Sequence, residues 1–299
     1  MSPQSTLKLF NATGNWYRGN LHTHTTNSDG RKKPADAIDW YRTHGYDFIA
    51  LTDHNRITNF SKMGDEHFLI FPGGEICIKN VLPDKIIEML VIGFSQPLDF
   101  ASQGYFPPEA ISQMRAGGGI FFLCHPQWAG LSPEEVEVIL QEQNFIGLEV
   151  FNSVCDQLTR RGYSRAHWDY LLSRKKLLWG LATDDTHWQA DEGRGWIMVK
   201  APSLTSSAIL EALTTGNFYA SQGPEIYDYQ ITDKEIYVRC SPAMRIEAFS
   251  REGYSGRIAP SGGQFLSEAI FPLQLFSHYV RIECIDIWGR VAWTPPILL

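Results

Sequence analysis

From residue 20 to residue 220 short apolar runs alternate with stretches whose apolar residues recur at helical spacing, the pattern of repeated βα units. The apolar runs predict strands at 19–24, 47–52, 69–76, 89–94, 119–124, 147–151, 177–183 and 217–220. The stretches between them predict helices at 34–44, 107–116, 132–143, 163–174 and 205–214. One helix carries its own start signal, with Ser132 as N-cap, Pro133 in the first turn and Glu134 and Glu135 near the positive end of the helix dipole. After Gln222-Gly223-Pro224 apolar and polar positions alternate without helical period over 231–240, 244–250, 269–275 and 279–287, which predicts a small antiparallel β unit. The chain is thus expected to divide into an α/β unit, 1–222, and a small all-β unit, 223–299.

Composition narrows the field. The 299 residues are 43% hydrophobic and 13% aromatic, enough for a globular core, which excludes a disordered chain. With 26 Lys+Arg against 33 Asp+Glu the formal charge is −7, so no stable nucleic-acid partner is expected, because coating a phosphate backbone needs clustered positive charge. No run approaches the ~20 apolar residues that cross a bilayer, and no apolar segment follows a basic start. No membrane partner is expected, and the cytoplasm is the expected compartment. Cys77, Cys124, Cys155, Cys240 and Cys284 are odd in number and form no C-x-x-C pair, so they read as reduced packing residues. The glycines at 117–119 precede a strand, the wrong order for a phosphate-binding loop, and read as a turn.

The histidines are concentrated at one kind of address. His22 and His24 end the first predicted strand, with Asp29 following across a Ser-Asp-Gly turn; His54 lies just beyond the second. Glu75, His125, Asp185 and His187 take the corresponding places after later runs. In a parallel barrel or sheet the carboxyl ends of the strands share one rim, so residues distant in sequence converge there. The i, i+2 spacing of His22/His24 and of Asp185/His187 sets each pair on one face. Neutral imidazoles with carboxylates and no thiolate suit divalent Zn, Mn or Fe, and a cation relieves the repulsion among clustered carboxylates. His44, His67, His167 and His278 belong to no such group and are expected to be structural.

At these residues the sequence resembles the PHP (polymerase and histidinol phosphatase) superfamily of metal-dependent phosphoesterases. The resemblance rests on Asn20-Leu21-His22-Thr23-His24 with Ser28-Asp29-Gly30, on Leu51-Thr52-Asp53-His54-Asn55, on Pro72-Gly73-Gly74-Glu75, on His125-Pro126 and on Asp185-Thr186-His187. The C-terminal stretch, with Tyr219-Ala220-Ser221-Gln222-Gly223-Pro224 and the ending 286–294, resembles the β extension of stand-alone PHP proteins of the CehA/McbA-like metallohydrolase type. The resemblance implies a distorted seven-stranded βα barrel holding two or three divalent ions. It implies one site of His22, His24, Glu75 and Asp185, a second where Glu75 bridges to His125, and a third of Asp29, His54 and His187. Relatives often supply a further second-site histidine near a Gly-Phe pair; here those positions are Leu90 and Ser95, so the second ion is expected to bind weakly, to be absent, or to recruit Glu88, Glu149 or Asn152, Glu149 foremost of these.

The expected reaction is hydrolysis of a small phosphate ester or nucleotide by metal-bound hydroxide, since metals lower the pKa of water from 15.7 to about 7. Asp185, His187 and His54 are the candidate catalytic residues. Arg194, Arg160, Arg161 and Asn55 are the candidate substrate contacts, the arginines because a guanidinium clamps two phosphate oxygens. Trp128 and Trp188 closely follow ligand motifs, where an aromatic either stacks on a base or ring of the substrate or, more commonly, packs beside its strand end. Two other readings are open: hydrolysis of a carboxylic or carbamate ester at the same site, or a non-catalytic module that uses metal for structure and recognition.

Overall fold

The computed structural model describes residues 7–8, 10, 13–251, 256–259 and 263–299. Each predicted strand and helix of 20–220 is present, with ends displaced by a few residues. The helix Pro133–Gln143 begins at a complete capping box, in which Ser132 Oγ accepts from the Glu135 backbone and Glu135 accepts from the Ser132 N–H. The helix Ser153–Thr159 and the strand Trp196–Ala201 were not foreseen, nor were the short pieces Arg56–Ile57, Ser61–Met63 and Leu98–Asp99.

Two sheets enclose the main core. One has the order Trp179–Thr183, Gly147–Asn152, Ile120–Leu123, Ile87–Ile92, Gly73–Ile78. Its first three strands are parallel, and Ile87–Ile92 runs antiparallel to both neighbours. The other contains Leu69–Phe71, Phe48–Ala50 and Asn15–Asn20 in parallel, then continues antiparallel through Trp196–Ala201 and Phe218–Ser221 into the C-terminal strands Val291–Trp293 and Tyr279–Ile285. The expected seven-stranded barrel is therefore hydrogen-bonded as two sheets among the described residues. They are linked at the rim by single backbone bonds: His24 N–H to Thr186, Asp185 N–H to His22 and Glu75 N–H to Thr52. Side chains such as Phe48, Ile76, Leu90, Phe122, Val150 and Leu181 fill the space between, all fully buried.

The antiparallel pattern after residue 222 is also observed. Ile226–Ile231, Glu235–Ala243 and Leu266–Pro272 form a separate sheet with Leu7–Lys8. It packs across Ile236, Val238, Ile246, Ile282 and Cys284 in a second core. Tyr279–Ile285 ties this region to the helix Arg165–Ser173 through a buried ion network: Arg281 donates from Nε and Nη2 to both Asp169 oxygens at 2.7 Å and from Nη1 to Glu283 at 2.7 Å. Among the described residues no helix is long and apolar enough to cross a membrane.

Candidate metal centre

The same rim bonds that join the sheets gather the site. His22 and His24 leave the end of Asn15–Asn20 and are held against 185–186 on one side and Thr52 on the other. Pro72 separates Leu69–Phe71 from Gly73–Ile78, so the expected single strand 69–76 passes from one sheet to the other. Gly74 permits that passage, because a Cβ there would lie 2.0 Å from the Arg56 carbonyl oxygen. Glu75 is thereby set beside His54, in an isolated bridge.

The result is a contiguous nest of donor atoms. His22, His24, Glu75 and Asp185 are all buried, and one ligand atom from each lies within 4.8 Å of the others. The Nε2 atoms of His22 and His24 are 3.1 Å apart; Glu75 Oε2 is 3.3 and 3.2 Å from them, and Asp185 Oδ1 3.2 and 3.1 Å. Glu75 Oε1 reaches His125 Nε2 at 3.0 Å, while its Oε2 reaches His54 Nδ1 at 3.0 Å. Asp29 faces His187 Nε2 at 3.4 Å, His24 Nδ1 at 3.6 Å and His54 Nε2 at 3.7 Å. All eight side chains expected from the resemblance to form the centre are thus together.

This arrangement fits divalent cations. Glu75 Oε2 and Asp185 Oδ1 are buried without a hydrogen-bond partner, although each faces several imidazole nitrogens. Such orphaned acceptors are costly unless something else satisfies them. Two imidazole nitrogens 3.1 Å apart cannot both carry protons toward each other, and a cation between lone pairs removes the conflict. His22 Nδ1–H donates to Glu149 and His187 Nδ1–H to the Asp185 carbonyl, which leaves both Nε2 lone pairs facing inward.

In the metal-free protein these groups settle as ion pairs. Burial pushes His24 and His125 down, but the carboxylates of Asp185 and Glu75 overcome it and raise them to about 10 and about 9. His22 is likewise raised against its burial, while Glu75 and Asp185 are held below the usual carboxylate range despite theirs. Raised histidines stabilise the metal-free fold below their unfolded value near 6.5 and lose that contribution as pH climbs through about 9–10. A cation must displace those protons, so affinity for Zn or Mn is expected to strengthen from pH 6 to pH 9 with net proton release. Calorimetric titration in buffers of different ionisation enthalpy measures this; release of no protons would contradict it.

Several expected contacts take other places. Glu149, expected as a ligand, has both oxygens engaged: Oε1 accepts from His22 and from Thr183 at 2.7 and 2.6 Å, and Oε2 from the His125 N–H and Asn152. It orients His22 from behind. Asn152 bridges Glu149 and Asp185 and caps Ser153–Thr159. Leu90 lies in the core and Ser95 is exposed on a loop. Glu88 stands nearest the second-site position, 3.7 Å from His54 and 3.9 Å from His125, with burial and then the charge of Glu75 raising it to about 7. It reaches the rim because Ile87–Ile92 is reversed, bringing the amino end of that strand beside Cys124.

None of the predicted arginines lines the centre. Arg160 is an exposed, left-handed helix cap beside Asp156, and Arg161 is exposed on the following loop. Arg194 opens onto a different cleft with Arg290; its backbone matters more, since Asp184 accepts the N–H groups of 193, 194 and 195. Asn55 sits at a positive φ of 51°, and its Oδ1 accepts the Cys77 N–H, a structural turn and not a free contact. Asp53 was overlooked: it fixes the 22–29 loop by accepting from Thr25 and Ser28, and adjacency to His54 was its only sequence signal. His44, His67, His167 and His278 stay outside the cluster, and the five cysteines are buried and free.

No protein-family model matches the sequence, and the comparison with curated proteins finds no match. Solved structures do resemble the fold. A two-domain protein from Bacteroides vulgatus containing a predicted PHP-like metal-dependent phosphoesterase superposes over 95% of each chain, with a TM-score of 0.54 at 16% identity. The lesion-specific endonuclease EndoQ of Pyrococcus furiosus covers 67% of this chain and 56% of its own, with a TM-score of 0.45 at 13% identity. An amidohydrolase from Chromobacterium violaceum covers 58% and 89%, with a TM-score of 0.43 at 14% identity. The first of these spans both the histidine-bearing unit and the C-terminal β region, and the chain accordingly has a PHP-like fold.

Proposed function

We propose that the protein is a metal-dependent hydrolase of the PHP superfamily that cleaves a small phosphate ester. The observation that carries the reading is the convergence of five histidines and four carboxylates from six chain segments around one opening, with two buried oxygens left for a cation. His22, His24, Glu75 and Asp185 would hold one ion, Glu75, His125 and Glu88 a second, and Asp29, His54 and His187 a third. Bound divalent ions would lower the pKa of water and polarise the ester oxygens.

The chain's own residues supply the rest. Glu149 and Asn152 hold His22 and Asp185 in orientation, and Asp53 and Asp184 brace the two loops that carry His24 and His187. His54 and His187 are the imidazoles at the mouth, partly exposed and near Asp29; with the third ion absent, either is placed to pass a proton to a departing alcohol. A second reading, hydrolysis of a carboxylic or carbamate ester, draws support from the lack of any Lys or Arg among the described residues lining the cavity. Protein loaded with manganese and then with zinc should release an alcohol from a phosphate-ester panel, together with phosphate from a monoester or a phosphate monoester from a diester. Turnover confined to carbamates or carboxylic esters would replace the first reading with the second.

A further inference from the structure

We infer that the ester cleaved here carries an apolar, planar group and at most one negative charge at the reacting centre: a phosphodiester, not a phosphomonoester. This rests on the phosphoesterase reading and specifies its substrate class. Around the mouth of the cavity stand Ile86, Trp128, Leu158 and Trp188, which are 64, 41, 63 and 45% exposed. Single exposed apolar side chains need no explanation, but four converging on a mouth above buried charged groups mark a binding surface. The rings are set by the centre itself: Trp128 meets His125 edge-on with centroids 4.9 Å apart, and Trp188 lies 5.6 Å from His187. The cavity, about 270 Å³, has room for a ring beside the reacting group, and the exposed apolar side chains at its mouth offer surface for a second.

Charge points the same way. A monoester dianion is ordinarily met by Arg or Lys, and no described residue lining this cavity is either. The residues outside the description, 1–6, 9, 11–12, 252–255 and 260–262, contain no Lys or Arg. Lys85, next to Ile86, is tied to the Gly130 carbonyl at 2.6 Å and to Glu135 at 2.7 Å. With the first two sites filled and the third empty, the carboxylates of Asp29, Glu75, Glu88 and Asp185 balance the ions in charge, and a second negative charge on the substrate meets no cationic side chain among the described residues lining the cavity.

Calorimetric titration of the manganese-loaded full chain with diphenyl phosphate, phenyl phosphate and inorganic phosphate tests the inference, alongside turnover of bis(para-nitrophenyl) phosphate and para-nitrophenyl phosphate. Diphenyl phosphate should bind about tenfold or more tightly than phenyl phosphate, with turnover favouring the diester. Trp128→Ala should lose most of that preference and Trp128→Phe retain it. Leu158→Arg, at an exposed helix position that leaves the fold undisturbed, should raise affinity for phenyl phosphate severalfold. Equal or tighter binding and faster cleavage of the monoester would overturn the inference and leave phosphate-ester hydrolysis standing. Cleavage of para-nitrophenyl acetate and of neither phosphate ester would overturn both.

Discussion

Glu75→Ala protein is expected to bind at least one fewer divalent ion per chain and to lose on the order of 10³-fold in kcat/KM, since metal charge stabilisation is worth several kcal/mol. It is central to the cluster: its two oxygens reach His22, His24, His54 and His125 within 3.3 Å. Removing it also leaves His22, His24 and His125 with less compensating charge, so their raised pKa values fall. The fold should survive, because Ile76 and Ile78 still anchor the strand in the core. Glu75→Gln keeps the volume and removes the charge, and should resemble the alanine variant if ligation is the cause. Elemental analysis of metal content with initial rates checks both; unchanged stoichiometry and rate would refute the assignment.

Asp169→Ala should have the largest effect on stability, a loss of about 3–5 kcal/mol, as found when one partner of a buried ion pair is removed. Arg281 is fully buried, and both Asp169 oxygens accept from its guanidinium while Tyr279 donates its hydroxyl to the same carboxylate. Without Asp169 the cation retains Glu283, whose other oxygen is shared with Arg165. Arg281→Met added to Asp169→Ala should recover part of the loss, because an uncharged side chain no longer needs a buried counter-ion. Urea denaturation of the two variants and the parent measures the coupling. A single-variant loss below 1 kcal/mol would show that water or neighbouring acids satisfy Arg281.

Periodicity in the chain was enough to locate the alternating strands and helices. It missed Ser153–Thr159, too short to show a helical period, and Trp196–Ala201, whose alternating burial was hidden behind a run read as a rim loop. The site was legible to the extent that ligands announce themselves locally: His22/His24 and Asp185/His187 at i, i+2, and His54 and His125 just past apolar runs. The substrate contacts were not legible. Arginine type was taken as the signal for phosphate, yet Arg160, Arg161 and Arg194 do not line the cavity, while the backbone at 194 braces Asp184.

By itself the sequence determined which residues are able to ligate and that they stand at strand ends, because side-chain chemistry and the apolar period are properties of neighbouring positions. Tertiary structure alone decided that Ile87–Ile92 runs backwards and brings Glu88 to the rim, that Glu149 stands behind His22, and that the mouth is ringed by tryptophan and aliphatic side chains without a cation. Those outcomes depend on strand direction and on contacts between residues far apart in the chain. Local preferences do not encode them, since the same apolar run packs equally well in either direction until its partners are in place.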